Sequence, residues 1–199
     1  MIADLSTYSL SHFLMFAPET YFRLYELYNA EIWPAQVAAM ILAVALIGLT
    51  RRPGDWRGRA ILVLLAVSWA VIAWVFFHRH YGTINLAAPW MGAGFAVQAG
   101  LLAVAALGRP RFAWSGDVAG RTGLVLLLYA VAVHPLIGPL AGRSWTGVEL
   151  FGLAPDPTAL GTLGVLAMAR GRSRWLLSVL PVLWCVAAAL THLAMGNRA

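Results

Sequence analysis

Ala60-Ile-Leu-Val-Leu-Leu-Ala-Val-Ser-Trp-Ala-Val-Ile-Ala-Trp-Val-Phe-Phe77 is a run with no charged residue in it. Before it stand Arg51, Arg52, Asp55, Arg57 and Arg59, and after it His78-Arg79-His80. An apolar helix of roughly 18 residues is long enough to cross the hydrocarbon core of a bilayer. The same layout recurs along the chain. It predicts spans over Ile32–Leu49, Ala60–Phe77, Pro89–Leu107, Thr122–Leu140, a short Pro157–Ala169, and Trp175–Met195. The expected fold is all-α: a polytopic membrane helix bundle of about six transmembrane helices.

Composition supports that solvent. Of 199 residues, 61 % are hydrophobic and 11 % charged, against about a quarter charged in soluble domains. Disordered, collagenous and disulfide-scaffold classes are excluded. The single cysteine, Cys185, excludes an internal disulfide and any CxxC motif. The formal charge is +6, which taken alone suggests nucleic acid. Every basic residue is arginine, however, and most cluster in three short loops: Arg51 to Arg59, Arg109 to Arg121, and Arg170 to Arg174. Short basic loops between apolar runs mark the cytoplasmic side of a multi-pass membrane protein, so no nucleic-acid partner is expected. The expected partners are the lipid bilayer, a small solute or ion, and further subunits of a homo- or hetero-oligomer. With these loops inside, both termini fall outside the cytoplasm, as do Glu19, Glu26, Glu31, Glu149 and Asp156.

Residues 1–31 have no basic n-region and no long apolar run, so no cleavable signal peptide is expected. Pro18 reads as the first residue of a helix on which Tyr21, Leu24, Tyr25 and Tyr28 form one stripe. Such an N-terminal amphipathic helix either lies in the interface plane or packs on the outer ends of the bundle. The chain thus divides into an extracytoplasmic amphipathic segment, 1–31, and a six-span bundle, 32–199. Trp33, Trp74, Trp90, Trp145 and Trp175 fall near span ends, where indoles favour the headgroups. Gly92, Ala96 and Gly100 form a small-residue stripe suited to close helix approach.

All five histidines, including His12, fall on the outer side. At about 1.5 Å per residue, His78 and His192 reach the outer edge of the core, whereas His134 lies within it. Pro135 and Pro139 break the helical hydrogen bonding beside His134. Pro157–Ala169 is too short to cross alone, so Asp156 as its N-cap lies below the surface, and the segment from Glu149 dips toward it. Intramembrane ionisable groups are costly and tend to be functional, and half-helices build many transporter sites. The candidate solute or ion pocket is therefore His134, Asp156, Glu149, His78 and His192, with a proton-sensitive His134–Asp156 pair as its gate. The alternative for His134 is a neutral imidazole satisfied by a backbone carbonyl; for Asp156 it is a cap and nothing more. His78 and His80, as His-x-His, are the candidate metal ligands, the alternative being ordinary interfacial residues. Cys185 reads as buried packing. There is no P-loop, HExxH, G-x-S-x-G or Rossmann fingerprint, and no histidine pairing for two haems. No cofactor and no catalytic residue are assigned, and the reading leans away from an enzyme.

Tyr25-Glu-Leu-Tyr-Asn29 with Trp33-Pro34, His80-Tyr-Gly-Thr-Ile-Asn85, Glu149-Leu-Phe-Gly152 with Pro155-Asp-Pro-Thr158, and Pro181-Val-Leu-Trp-Cys185 resemble an uncharacterised family of bacterial multi-span membrane proteins. That family is a domain of unknown function, sometimes labelled permease. The resemblance covers nearly the whole chain and implies a bacterial multi-span membrane protein; with the arginine loops inside, the expected location is the inner membrane. The leading expectation is a small permease with an outward-facing polar pocket. The alternatives are a metal- or haem-binding redox or enzyme component, and an accessory subunit of a membrane complex.

Overall fold

The structure is a computed structural model and describes residues 16–108 and 116–196. His12 and the loop arginines Arg109 and Arg111 lie outside them. Among the described residues the architecture is all-helical, with no strand. In chain order the elements are α1 (Pro18–Glu31), α2 (Ala35–Thr50), α3 (Asp55–Val71), α4 (Ala88–Ala106), α5 (Val118–Leu128), α6 (His134–Leu140), α7 (Pro155–Met168) and α8 (Ser173–Gly196). A π-helical stretch, Ile72–His80, prolongs α3, and another, Tyr129–Val133, joins α5 to α6.

Among the described residues, four helical segments are long and apolar enough to cross a membrane: Asp55–Thr83, Ala88–Ala106, Val118–Leu140 and Ser173–Gly196. A fifth exists if α1 and α2, which meet at a 92° bend, count as one broken span. The expected span over Pro157–Ala169 is instead the short α7, buried along almost its whole length.

The surface is apolar where a soluble protein would be polar. Leu176, Val179, Leu183, Val186, Leu190 and Leu193 of α8 are exposed, as are Met40, Ile41 and Val44 of α2. All five tryptophans expected near span ends are exposed too. Ser68, Gln98, Glu149, Asp156, Thr158 and Thr162 are buried. Apolar faces outward and polar groups inward suit a hydrocarbon solvent. The interior polar groups tie helices together, as such groups do in lipid. Trp69 Nε1 of α3 donates to Thr162 Oγ1 of α7 at 2.9 Å. Pro181 has no N–H, so it leaves the Leu177 carbonyl of its own helix without its usual donor. Gln98 Nε2 of α4 donates to that carbonyl at 2.8 Å.

Helix α7 sits against α5 at Gly123 and Gly164. A Cβ on Gly123 would fall 2.5 Å from the Gly164 carbonyl oxygen, and one on Gly164 would fall 2.6 Å from that of Gly123. Only glycine at both positions permits this approach. Of the small-residue stripe, Gly92 packs against the π-helical continuation of α3, where an added Cβ would fall 3.1 Å from Phe77 Cβ, whereas one on Gly100 would meet nothing within 4 Å. Arg59 Nε donates to the Gly108 carbonyl at 3.2 Å, which ties the first turns of α3 to the chain just beyond the end of α4.

Candidate functional site

The tyrosine stripe of α1 turns into the bundle: Tyr21, Tyr25 and Tyr28 are buried. Tyr28 Oη donates to the Leu153 carbonyl at 2.9 Å, and the Tyr25 ring lies 5.1 Å from that of Phe76. Of the two placements expected for this helix, packing on the bundle is the one these contacts describe. The helix also grips the connector between α6 and α7. Asn29 Nδ2 donates to the carbonyls of Thr146 and Val148, at 2.8 and 2.9 Å, and the Arg143 guanidinium lies 4.4 Å over the Phe22 ring. Glu149 is the next residue along that pinned strip, and its direction is set accordingly.

His134 owes its place to Pro135. A proline clashes with the carbonyl four residues back and gives no N–H to it. The π-helical turn Tyr129–Val133 widens the helix where that conflict falls, and π-bulges are frequent at functional sites. His134 therefore opens the new segment α6 at the bend. Asp156 lies in the first turn of α7, but it is not the N-cap that the sequence suggests. The helix begins earlier, with Pro155 at its first position and Ala154 as cap. The freed carboxylate reaches α8 instead: Trp184 Nε1 donates to Oδ1 at 2.8 Å, and His192 Nε2 lies 3.1 Å from Oδ2.

These groups surround a cavity of about 300 Å³. His134, Glu149, Asp156 and His192 line it, with Arg143 and Cys185. One nitrogen or oxygen from each of His134, Glu149 and Asp156 lies within 4.8 Å of the others. Arg143 Nη1 stands 3.8 Å from Glu149 Oε1. Glu149 Oε2 and His134 Nδ1 are buried atoms without a hydrogen-bond partner among the described residues. Burial first, and then the charge of Asp156, raises the Glu149 carboxyl above its ordinary pKa.

Four of the five expected pocket residues thus meet. His78 does not; it stacks on Trp74 at 4.6 Å, along a groove between α3 and α4. His80 is separate again. Its Nδ1 lies 2.7 Å from the Val75 carbonyl, and its Nε2 lies 3.0 Å from Glu31 Oε2. The two rings of the His-x-His pair are therefore engaged with different neighbours. Within the pocket, Asp156 is hydrogen-bonded to His192, and His134 stands beside the pair. Arg143 was absent from the sequence-derived set, although it lies outside the three arginine loops and six residues before Glu149, which is the signal that could have found it.

Compared with known proteins, residues 18–196 match the profile of a family of unknown function. No curated protein and no solved structure matches the chain.

Proposed function

The chain belongs to that family, DUF6064, and since no activity comes with membership, we propose a function from the pocket itself: a permease-type membrane protein that takes up a small polar solute or ion there. The observation that carries this reading is a cavity onto which the ionisable side chains of His134, Glu149, Asp156 and His192 converge, inside a bundle whose outer faces are apolar. Two helix discontinuities meet at it, the bend before His134 and the start of α7 at Pro155. Broken helices around a midplane site are how many transporters expose backbone and side-chain ligands.

In this reading the protein is a multi-pass protein of the bacterial inner membrane. The bent α1–α2 pair supplies a fifth pass, and α7, too short to cross alone, completes a sixth together with the connector that dips to meet it. The arginine loops face the cytoplasm, and the pocket opens on the opposite side. The test is uptake by proteoliposomes containing the purified protein, with a panel of small solutes and cations. Uptake that disappears in Glu149→Gln supports the reading. A protein that moves nothing on the panel and co-purifies with a membrane partner in fixed ratio contradicts it, and favours an accessory subunit.

A further inference from the structure

Resting on the reading of this cavity as a binding pocket, we infer that its ligand is a divalent first-row transition-metal ion, held by His134 Nδ1, Glu149 Oε2 and a carboxylate oxygen of Asp156. Three donors of metal-ligating type converge here from three parts of the chain: the α5–α6 bend, the connector, and the first turn of α7. A cluster of this kind proves nothing alone. The second observation is that two donors have no other occupation. Glu149 is 6 % exposed, and among the described residues its Oε2 has no hydrogen-bond partner and His134 Nδ1 has none either. Buried polar atoms are nearly always satisfied, and a missing ion is one reason for an exception.

Charge points the same way. Two carboxylates share a site with the Arg143 guanidinium beside Glu149 and the His192 imidazole, a cation only when protonated, beside Asp156. A divalent ion neutralises both carboxylates at once, in surroundings where like charges repel strongly. Size is compatible. Ligand atoms about 2.1 Å from a tetrahedral ion stand about 3.4 Å apart, so the 4.8 Å outer limit of this triad closes by modest side-chain movement. The mixed imidazole and carboxylate set selects the class. Carboxylates disfavour the soft cuprous ion, and an imidazole is a poor choice for magnesium or calcium. Three protein ligands leave coordination positions open toward the cavity, as in metal sites that exchange water or substrate.

His192 is then a positioning residue. Its hydrogen bond to Asp156 Oδ2, with that of Trp184 to Oδ1, fixes the carboxylate, as outer-shell partners fix metal ligands. His78 and His80 have no part in this site.

The experiment titrates metal-free purified protein in detergent with Co²⁺, read by visible absorption, and with Zn²⁺, read by bound metal after gel filtration. One ion per chain, with cobalt bands typical of nitrogen and oxygen ligands, is expected. Binding disappears in His134→Gln and in Glu149→Gln, weakens about 10- to 100-fold in His192→Ala, and persists in His80→Gln. Thermal melting identifies any variant that fails to fold; for such a variant, protection of wild-type Cys185 from alkylation by Co²⁺ replaces the mutant readout. Binding unchanged in both ligand variants overturns the inference, as does a wild-type protein that binds neither ion. Metal bound at this site without uptake in proteoliposomes leaves the inference standing and removes the permease reading. Uptake of another solute by a protein that binds no metal does the reverse.

Discussion

Replacing Gly164 by alanine tests the packing on which the pocket wall depends. The added Cβ would lie 2.6 Å from the Gly123 carbonyl oxygen, 2.8 Å from Leu127 N and 3.2 Å from Leu126 Cβ. Two of the three neighbours are backbone, so no side chain can swing aside. Restoring ordinary contact requires α5 and α7 to separate by about 0.8 Å, and a gap of that size forfeits a quarter to a half of the dispersion energy of each contact it opens. Overpacking in well-packed interiors costs about 1–3 kcal/mol, and the rigid backbone on both sides places this case at the upper end. Alanine's better helix propensity returns up to about 1 kcal/mol, so a net loss of about 2 kcal/mol is expected. Gly100→Ala is the internal control: its Cβ would meet nothing within 4 Å, so it keeps only the propensity gain. The assay is denaturation in mixed micelles, comparing midpoints of wild type, G164A and G100A. A G164A midpoint equal to or above that of G100A would refute the reasoning.

Four further outcomes are expected. Gln98→Leu leaves the Leu177 carbonyl without its donor and lowers stability by about 1–3 kcal/mol in the same assay. Asn29→Ala removes two hydrogen bonds to the connector, costs about 1–2 kcal/mol, and weakens whatever ligand Glu149 holds. A double-mutant cycle of Asp156→Asn with His192→Ala gives an interaction energy of about 0.5–3 kcal/mol; simple additivity contradicts the hydrogen bond between them. Burial raises the folded-state pKa of Glu149 above its value of about 4.5 in the unfolded chain, so the unfolded state holds fewer protons as pH rises. Stability contributed by the protonated carboxyl is therefore fully present below about pH 4.5 and is lost as pH rises through the folded value of about 8. Glu149→Gln flattens that slope, which melting curves across pH detect.

The sequence was informative where one residue type in one pattern has a single physical meaning. Uncharged runs such as Ala60–Phe77 give apolar helices, and Pro18 opens a helix as expected. Relative position along the helices was legible too, because rise per residue is constant, and His134, Asp156, Glu149 and His192 do line one cavity. Direction around a helix was not. A helix apolar on every side has no marked inner face, so His78 counted as equivalent to His192 although it points toward a different groove. The stripe of Tyr21, Tyr25 and Tyr28 was visible, but the pattern does not say whether headgroups or helices receive it. The π-helical stretch over Ile72–His80 has no proline to announce it. Asp156 looked like a cap because capping is local, whereas its partners, Trp184 and His192, belong to another helix.

The central claim is a water-accessible polar pocket opening away from the arginine loops, and the chain carries its own probe. Cys185 is the sole cysteine, is half-buried, and lines the cavity. Spheroplasts expressing the wild-type protein are treated with a small, membrane-impermeant methanethiosulfonate reagent, and labelling is compared with Cys185→Ala and with inverted vesicles. Labelling of Cys185 in spheroplasts is the predicted result. Labelling confined to inverted vesicles, or appearing only after the membrane is dissolved, would contradict the account.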